Sequence, residues 1–427
     1  MSKTDGGETA LSIECAEPVT LSWRHVDSFA GNRSSPATTE YRPCPICGSD
    51  RSRTVLQFDQ FQFYSDSKDV PKRVDIREVQ CIDCFAFYLN PCYTSYGFGV
   101  LFAEAGLSYG SREEHCNEQV EWLRSRGMLC SGTRLLDAGC YDGGFLARLP
   151  EDVIRIGVDI DAPAIERGRK TFGERGIELI LGDFESFRCD KAVDVITMFH
   201  VLEHLARPVA VLEHLRSIAS EGTRLGVEVP VLENGITNDI NGFFAVQHAT
   251  HFSRVSLENC LRRSGWKIIE RQEQPDYNGL RVIASPAQPG PVCEKDVGAT
   301  AMLRGYLSAW NLATKAVEEQ ITRFHRMDRC VIWGAGAHTE FLYQTTSLFL
   351  ANSEREYFIV DGDPGKQGKT WRGLRIYSPE ILRRLSWQNE YVLVSSYGST
   401  PQIVDAARSL GVPAERVIIL YDKLRVY

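Results

Sequence analysis

The stretch LLDAGCYDGGFLARL, Leu135–Leu149, decides how the rest of the chain is interpreted. A short apolar run leads into a turn with glycines at 139, 143 and 144, and an amphipathic segment follows. This order is typical of a buried strand, a tight turn that admits a ligand close to the backbone, and a helix whose first N–H groups face that ligand. Tyr141 stands where a third closely spaced glycine would be expected, so the turn alone is a weak signal.

Three stretches further along the chain strengthen this signal. The apolar run IRIGVDI contains Asp159, 22 residues after Asp137, where a carboxylate can accept hydrogen bonds from both hydroxyls of a ribose. The run IELIL precedes Gly182-Asp183-Phe184, whose carboxylate could bind an adenine edge while the phenyl ring covers the base. A fourth apolar run leads into FHVLEH. Strand and helix patterns alternate over residues 133–285, which predicts a parallel α/β sheet.

These elements resemble the class I S-adenosylmethionine (SAM)-dependent methyltransferases. The resemblance implies a doubly wound sheet, and it implies that Asp137 helps to hold the methionine amino end of SAM. His200 and His204 of FHVLEH are expected to line or support the cofactor pocket. A dehydrogenase shares the topology but has no place for the GDF and FHVLEH stretches. The expected cofactor-binding residues are Asp137, Gly139, Tyr141, Gly143, Asp159, Asp183, Phe184 and His200.

Two C-x2-C pairs precede this region, Cys44 with Cys47 and Cys81 with Cys84. Four thiolates can complete the tetrahedral shell of one structural zinc ion. The 33 residues between the pairs are enough for a β-hairpin. Phe85 stands where the second turn would usually have glycine. The alternative is two unrelated pairs of buried cysteines.

The order of the chain also resembles the deoxysugar C-methyltransferases, whose first turn often has asparagine at the place of Tyr141. This resemblance implies an N-terminal zinc module, a central methyltransferase fold and a C-terminal Rossmann-like domain. The alternative is a degenerate cofactor site that the tyrosine ring fills. The expected units are a flexible tail (1–40), a zinc-binding module (41–98), a helical connector (99–130), the SAM-binding domain (131–290) and the C-terminal domain (291–427).

The substrate side is expected near Gln247-His248, which His251-Phe252-Ser253 follows. In the deoxysugar C-methyltransferases this place carries a Glu-His pair and then an aromatic-Phe-Ser run. The resemblance therefore implies that His248 is the catalytic base. Gln247 departs from the family's glutamate, and a neutral amide supports the basicity of an imidazole less than a carboxylate does. The alternative for His248 is a helix-capping or core histidine.

A second glycine turn, Gly334-Ala335-Gly336, follows an apolar strand pattern, and Asp361 ends the next one. This pattern is half of a dinucleotide-binding fold, so a nicotinamide cofactor is one alternative. The resemblance implies instead a domain that closes over the cleft and contacts the nucleotide part of a sugar substrate. Lys366, Lys369 and Arg372 are either candidates for contacting a diphosphate or members of a solvated charged loop.

Composition limits the function further. The net charge of −8 argues against a protein that coats nucleic acid, and no apolar run is long enough for a membrane span. The N-terminus lacks a secretory signal pattern, so we expect a cytoplasmic protein. We expect a SAM-dependent methyltransferase that acts on a nucleotide-linked sugar or a related small polar metabolite. The alternatives are a non-catalytic binding or scaffold protein on a degenerate methyltransferase fold, and an NAD-dependent oxidoreductase that uses the C-terminal turn.

Overall fold

The computed structural model shows an N-terminal β module, a central α/β domain and a C-terminal α/β domain. Residues 1–37 of the expected tail lie outside the described residues, and so does Phe184. The described residues are 38–63, 72–101, 113–183, 187–189, 191–234, 246–273, 278–290, 294–323, 329–349, 356–396 and 398–421.

The N-terminal module consists mainly of antiparallel strands. Its elements are β1 (Thr39–Glu40), β2 (Ser52–Gln62), β3 (Arg73–Cys81), β4 (Phe87–Leu89), β5 (Cys92–Tyr93) and α1 (Ser95–Leu101). β2 and β3 pair antiparallel, as the hairpin expected between the two cysteine pairs requires. β1 pairs with β5, so two residues of the expected tail form part of this module.

The central domain contains the sheet that the sequence predicts. Its elements are α2 (Glu113–Arg124), β6 (Arg134–Ala138), β7 (Ile154–Asp159), α3 (Ala162–Phe172), β8 (Ile177–Leu181), β9 (Val193–Phe199), α4 (Pro208–Ser217), β10 (Ala219–Pro230), β11 (Thr250–His251), α5 (Arg254–Arg263), β12 (Trp266–Glu273) and β13 (Gly279–Pro286). Seven of these strands form a sheet of order β12-β13-β10-β9-β6-β7-β8. β13 runs antiparallel to both of its neighbours, whereas β10, β9, β6, β7 and β8 are parallel. The predicted class I methyltransferase sheet is confirmed.

The segment after the first glycine turn differs from the prediction. Instead of an α-helix, one turn of 3₁₀ helix forms at Leu146–Arg148. Leu149 is extended, with φ −70° and ψ 152°, because Pro150 disfavours the helical conformation in the residue before it. The prediction of a helix here was wrong. The N–H groups that can face a ligand therefore belong to the turn itself.

β11 joins the N-terminal module to the central domain. It lies outside the seven-stranded sheet and pairs with β4, which extends the sheet of the module to the order β11-β4-β3-β2. The half-buried Arg42 bridges the same interface, because its guanidinium donates to the backbone carbonyls of Ala206 and Ala249. The segment that carries His248 is thus fixed by the N-terminal module.

The C-terminal domain is a second doubly wound sheet. Its elements are α6 (Ala299–Arg323), β14 (Arg329–Trp333), α7 (Ala337–Thr345), β15 (Glu356–Val360), β16 (Thr370–Trp371), β17 (Leu374–Tyr377), β18 (Glu390–Val394), α8 (Thr400–Ser409) and β19 (Val417–Ile418). The strand order is β16-β17-β15-β14-β18-β19. The strands β17, β15, β14, β18 and β19 are parallel to one another. The structure thus has an open, mostly parallel α/β sheet where the sequence predicts a Rossmann-like domain. No helix among the described residues is long and apolar enough to cross a membrane.

Arg372 links the C-terminal domain to the N-terminal module. Its guanidinium is fully buried, with Nε 2.8 Å from Glu340 Oε2 and one terminal nitrogen 2.9 Å from the carbonyl oxygen of Gln60. A buried arginine that is already paired with a carboxylate is not available to a diphosphate. The structure therefore excludes Arg372 from the candidate phosphate ligands.

Candidate functional site

The glycine turn after β6 packs tightly against the loop that follows β9 and against strand β8. Gly139 has φ +91°, and a Cβ built on it would lie 2.3 Å from Val201 Cγ2. Gly143 has φ +80°, and its Cβ would lie 2.9 Å from Leu179 Cδ2. Both positions therefore need glycine for conformation and for space. The approach of Val201 to Gly139 also brings the FHVLEH segment against the expected cofactor turn.

Asp159 ties this turn to the end of β7. Its Oδ2 accepts a hydrogen bond from the Tyr141 N–H at 2.8 Å, and its Oδ1 accepts one from the Asp161 N–H at 2.8 Å. Burial raises the pKa of Asp159, while these two N–H groups oppose the rise. Since each carboxylate oxygen has a further lone pair, Asp159 keeps the capacity to accept ribose hydroxyls.

Tyr141 takes its place in the turn by adopting a left-handed backbone, with φ 51°. Its ring lies against α3, where the Arg167 guanidinium carbon is 5.3 Å from the ring centroid. The same helix approaches the turn so closely that a Cβ on Gly168 would lie 2.1 Å from the Asp142 carbonyl oxygen. The tyrosine ring is thus held by α3, which argues against the alternative that it fills the cofactor site.

Asp137 lies buried at the C-terminal end of β6. Its Oδ1 accepts a hydrogen bond from the Thr197 hydroxyl at 2.7 Å. Burial raises the pKa of Asp137 to about 7; the Thr197 hydrogen bond opposes the rise and the charge of Asp159 adds to it. A cation bound beside this carboxyl would favour its ionised form. The position is therefore suited to an ammonium group.

Asp183 lies beyond β8, near the end of β7. The Gly182 N–H donates to the Asp159 carbonyl oxygen at 2.9 Å, and the Phe187 N–H donates to the Asp183 carbonyl oxygen at 3.0 Å. Asp183 is exposed. Because Phe184 is outside the described residues, its stacking on an adenine ring stays a prediction.

His200 begins a cluster of histidines and carboxylates at the ends of β9 and β10. It directly follows β9 with φ 56°, and its N–H donates to the Glu228 carbonyl oxygen at 2.8 Å. Its Nδ1 is 3.3 Å from Glu203 Oε1. Burial opposes protonation of His200, but Glu203 and Glu228 outweigh this effect and raise its pKa.

His204 and His248 extend the cluster toward the N-terminal module. The His204 Nε2 is 3.9 Å from Glu203 Oε1, and its Nδ1 is 3.2 Å from the Gln247 carbonyl oxygen. The ring centroid of His248 lies 4.9 Å from that of His204 and 6.0 Å from that of His251. His251 is itself buried, with Nε2 2.8 Å from Oε2 of the module residue Glu78.

The surroundings of His248 affect its use as a base. Burial, and then the neighbouring His204, His251 and His200, lower the pKa of His248 well below its ordinary value. The imidazole is therefore neutral at pH 7 and able to accept a proton. A low pKa also makes it a weaker base than an imidazole beside a carboxylate.

Glu228 is the centre of a buried network that the sequence analysis missed. Its Oε1 is 2.9 Å from Arg281 Nε and 3.3 Å from His115 Nε2, and its Oε2 accepts a hydrogen bond from Gln119 Nε2 at 2.7 Å. Burial would raise the pKa of Glu228, but His115, His200 and Arg281 outweigh it and lower the pKa to about 2. The available signal was a single charged residue within each of the apolar runs LGVEVPV and GLRVIAS.

The four predicted cysteines converge in the N-terminal module. The sulfur atoms of Cys44 and Cys84 are 3.6 Å apart, those of Cys47 and Cys81 are 3.5 Å apart, and all four lie within 4.8 Å of one another. Zinc–sulfur bonds of about 2.3 Å in a tetrahedron separate the sulfurs by about 3.8 Å, so the four thiols fit a zinc ion. Phe85 adopts the left-handed φ of 67° that the second turn requires.

The C-terminal glycine turn repeats the hydrogen bonds of the central turn with one addition. Asp361 Oδ2 accepts from the Ala335 N–H at 2.8 Å, and Oδ1 accepts from the Asp363 N–H at 2.9 Å. In this case the Lys366 ammonium also lies 3.1 Å from Oδ2. A ribose hydroxyl would have to compete with that ammonium group, so the turn is less suited to a dinucleotide than the central one.

Comparison with known proteins agrees with this description of the central domain. Residues 113–271 match a family model described as a methyltransferase domain, whereas no curated protein matches the chain. A magnesium protoporphyrin IX methyltransferase from Synechocystis PCC 6803 with bound SAM is 17% identical, with a TM-score of 0.33, over 45% of this chain and 92% of that one. A SAM-dependent methyltransferase from Clostridium acetobutylicum ATCC 824 is 10% identical, with a TM-score of 0.35, over 45% of this chain and 98% of that one. The family match confirms the predicted enzyme class, a methyltransferase: residues 113–271 of the chain form a methyltransferase domain.

Proposed function

We propose that the protein transfers a methyl group from SAM to a nucleotide-linked sugar or a related small polar metabolite in a biosynthetic pathway. The observation that carries the proposal is the packing of Val201 against Gly139. This contact brings the cofactor turn and the histidine–carboxylate cluster together, so an acceptor bound at the cluster would lie beside the sulfonium. The resemblance to deoxysugar C-methyltransferases supports the sugar and assigns its nucleotide part to the C-terminal domain.

In this proposal the central turn holds SAM through three carboxylates. Asp137 accepts the methionine ammonium, Asp159 accepts the ribose hydroxyls and Asp183 accepts from the adenine edge. The turn residues from Gly139 to Gly143, His200 and Phe184 complete the site. Methyl transfer from the sulfonium needs little covalent assistance, so the work of the protein is to align the acceptor with the methyl carbon and to exclude water.

We further propose that His248 takes the proton of the acceptor. Its neutral imidazole supports this role, and the segment that carries it is held by the pairing of β11 with β4. The sequence lacks a carboxylate at position 247, and Glu203 is the carboxylate that reaches the neighbouring His204. A histidine without a carboxylate beside it is a modest base. It therefore suits an acceptor that is easily deprotonated, such as a hydroxyl or an amine.

The cysteine cluster is proposed to hold a structural zinc ion. Four protein ligands leave no open coordination position, so the ion would stabilise the module rather than act on the substrate. Its effect on activity would be indirect, since the module anchors β11.

The two alternatives have less support. A degenerate site filled by the Tyr141 ring is disfavoured, because that ring lies against α3, with the Arg167 guanidinium carbon 5.3 Å from its centroid. An oxidoreductase would need Asp361 to accept ribose hydroxyls, and Lys366 already binds that carboxylate.

The zinc proposal predicts about one zinc ion per chain that depends on the cysteines. Cys81→Ser should release that ion and lower the temperature at which the N-terminal module unfolds. The exposed Cys130 provides the control, since Cys130→Ser should change neither property. Elemental analysis and thermal denaturation measure both. A zinc-free protein with unchanged thermal stability would contradict the proposal.

The cofactor proposal predicts that Asp159→Ala weakens SAM binding by about 1.5–3 kcal/mol, roughly ten- to a hundredfold in Kd, because a charge-assisted acceptor is lost. Asp161 is the matched control, since its carboxylate caps α3 by accepting from the Ala164 N–H at 2.8 Å. Asp161→Ala should cost about 1 kcal/mol of folding stability and leave SAM affinity nearly unchanged. Calorimetry and urea denaturation separate the two effects. Equal SAM affinity in both variants would mean that Asp159 does not contact the ribose.

The base proposal predicts that His248→Ala lowers kcat by about 10²–10⁴-fold while SAM affinity is retained. The measurement is S-adenosylhomocysteine release with a panel of nucleotide-linked sugars. His214→Ala on α4 is the control, because the hydrogen-bond partners of that ring among the described residues, such as the Phe187 carbonyl oxygen, lie away from the cluster.

Gln247→Glu gives the same proposal a second test. If the acceptor is a carbon, the new carboxylate should raise the basicity of His248 and keep or increase the rate. If the acceptor is an oxygen or nitrogen that the Gln247 amide helps to bind, the rate should fall. Full activity in His248→Ala would remove this histidine from the mechanism.

A further inference from the structure

Two groups of side chains near the cofactor turn each combine two histidines with one glutamate, which is a common ligand set for divalent transition metals. In the described residues these groups are His115, His200 and Glu228, and Glu203, His204 and His248. Within each group the potential ligand atoms lie within 4.8 Å of one another. Only one of the groups is electrostatically suited to a cation.

The Glu228 group is already occupied by protein charges. Arg281 Nε is 2.9 Å from Oε1, and Gln119 Nε2 donates to Oε2 at 2.7 Å. A metal ion at this carboxylate would have to displace or face a guanidinium. This group therefore forms an internal ion pair and not a metal site.

We propose that Glu203, His204 and His248 bind one divalent transition-metal ion. Glu203 is 1% exposed, and its Oε2 is buried with no hydrogen-bond partner among the described residues. A buried carboxylate oxygen without a donor is costly, and a metal ion is a partner that would remove this cost. The other oxygen, Oε1, lies 3.3 Å from His200 Nδ1, which can orient the carboxylate as an outer-shell partner.

The two histidines are arranged as metal ligands usually are. The Nδ1 of His204 is 3.2 Å from the Gln247 carbonyl oxygen, so Nδ1 carries the proton and donates it there, which leaves Nε2 with its lone pair. This Nε2 lies 3.9 Å from Glu203 Oε1. The ring of His248 lies next to that of His204, with 4.9 Å between the two ring centroids. Bonds of about 2.0–2.2 Å in a tetrahedron place ligand atoms about 3.4 Å apart, so the three ligand atoms, which lie within 4.8 Å of one another, would move closer together when an ion binds.

Three protein ligands leave at least one coordination position open, as in catalytic rather than structural metal sites. Metal binding itself does not depend on the proposed function, but the use of the open position for catalysis rests on the proposed methyl transfer. An acceptor hydroxyl bound there would have a lowered pKa and would lose its proton to solvent water. Its oxygen lone pair would then form the bond to the methyl carbon, while the carbon–sulfur bond breaks and the sulfur keeps the electron pair.

This site gives His248 a role different from that of a base. As a ligand it would have no lone pair left for a proton at the bound nitrogen. The ligand role therefore predicts that removal of the His248 imidazole weakens metal binding, whereas the base role predicts no change, and metal binding can be measured without turnover.

The test uses the full chain, freed of metal by a chelator and titrated with Co²⁺, with S-adenosylhomocysteine binding measured on the same samples. Two Co²⁺ sites are expected: one with the thiolate charge-transfer absorption of the cysteine cluster, and one without it. Glu203→Gln, which preserves shape, should weaken the second site by more than about 100-fold and leave the first intact. His204→Asn and His248→Asn should do the same, and His214→Asn should not.

The outcomes are distinct. Loss of the second site in all three variants, with cofactor binding retained, supports the metal site. Wild-type protein that binds Co²⁺ only through thiolates overturns it, and so does a second site that all three variants retain. A Co²⁺ affinity that His248→Asn leaves unchanged returns this histidine to the role of base. If the wild-type protein does not bind S-adenosylhomocysteine, the proposed function is contradicted. The Co²⁺ titration still decides whether the metal site exists, because it does not depend on cofactor binding.

Discussion

The carboxylate of Asp159 holds together the glycine turn after β6, which is the candidate cofactor turn of the central sheet. It accepts one N–H from the first loop, at Tyr141, and one from the second loop, at Asp161. Tyr141 is not a glycine, yet its backbone is left-handed. This strained conformation needs the support of the hydrogen bond to Asp159. With the turn fixed, Gly139 can meet Val201, and that contact positions the segment with His200, Glu203 and His204. The candidate cofactor site and the candidate acceptor site are therefore parts of one packed arrangement.

The N-terminal module takes part in the same arrangement from the other side. β11 belongs to the module's sheet although it comes from the central part of the sequence, and Glu78 of the module contacts His251 at 2.8 Å. The Tyr93 hydroxyl also donates to the Val246 carbonyl oxygen. His248 lies between these two anchors. A zinc ion that stabilises the module would thus help to position the proposed acceptor site without touching the substrate.

Much of this arrangement could be predicted from the sequence, because it depends on spacing along the chain. The alternation of strands and helices, the acidic residue at Asp159 and the two cysteine pairs follow from local periodicity and fixed intervals, whereas the doubly wound sheet was implied by the family resemblance. The single 3₁₀ turn at Leu146–Arg148 was missed, although Pro150 was a visible reason for it. The pairing of β11 with β4 and the Glu228–Arg281 ion pair could not be predicted, since they join residues that only the tertiary fold brings together. The contact between Lys366 and Asp361 is local, five residues apart, but its formation depends on the conformation of the loop, which the residue pattern did not indicate.

The most direct test of the account is a calorimetric titration of the full chain with S-adenosylhomocysteine and, separately, with NAD⁺, at about pH 6 and about pH 8. The account predicts one S-adenosylhomocysteine site per chain, and no heat with NAD⁺. It also predicts that S-adenosylhomocysteine binds more tightly at the higher pH, because burial raises the pKa of Asp137 to about 7 and this carboxyl must be ionised to receive the ligand's ammonium group. NAD⁺ binding without S-adenosylhomocysteine binding would contradict the account.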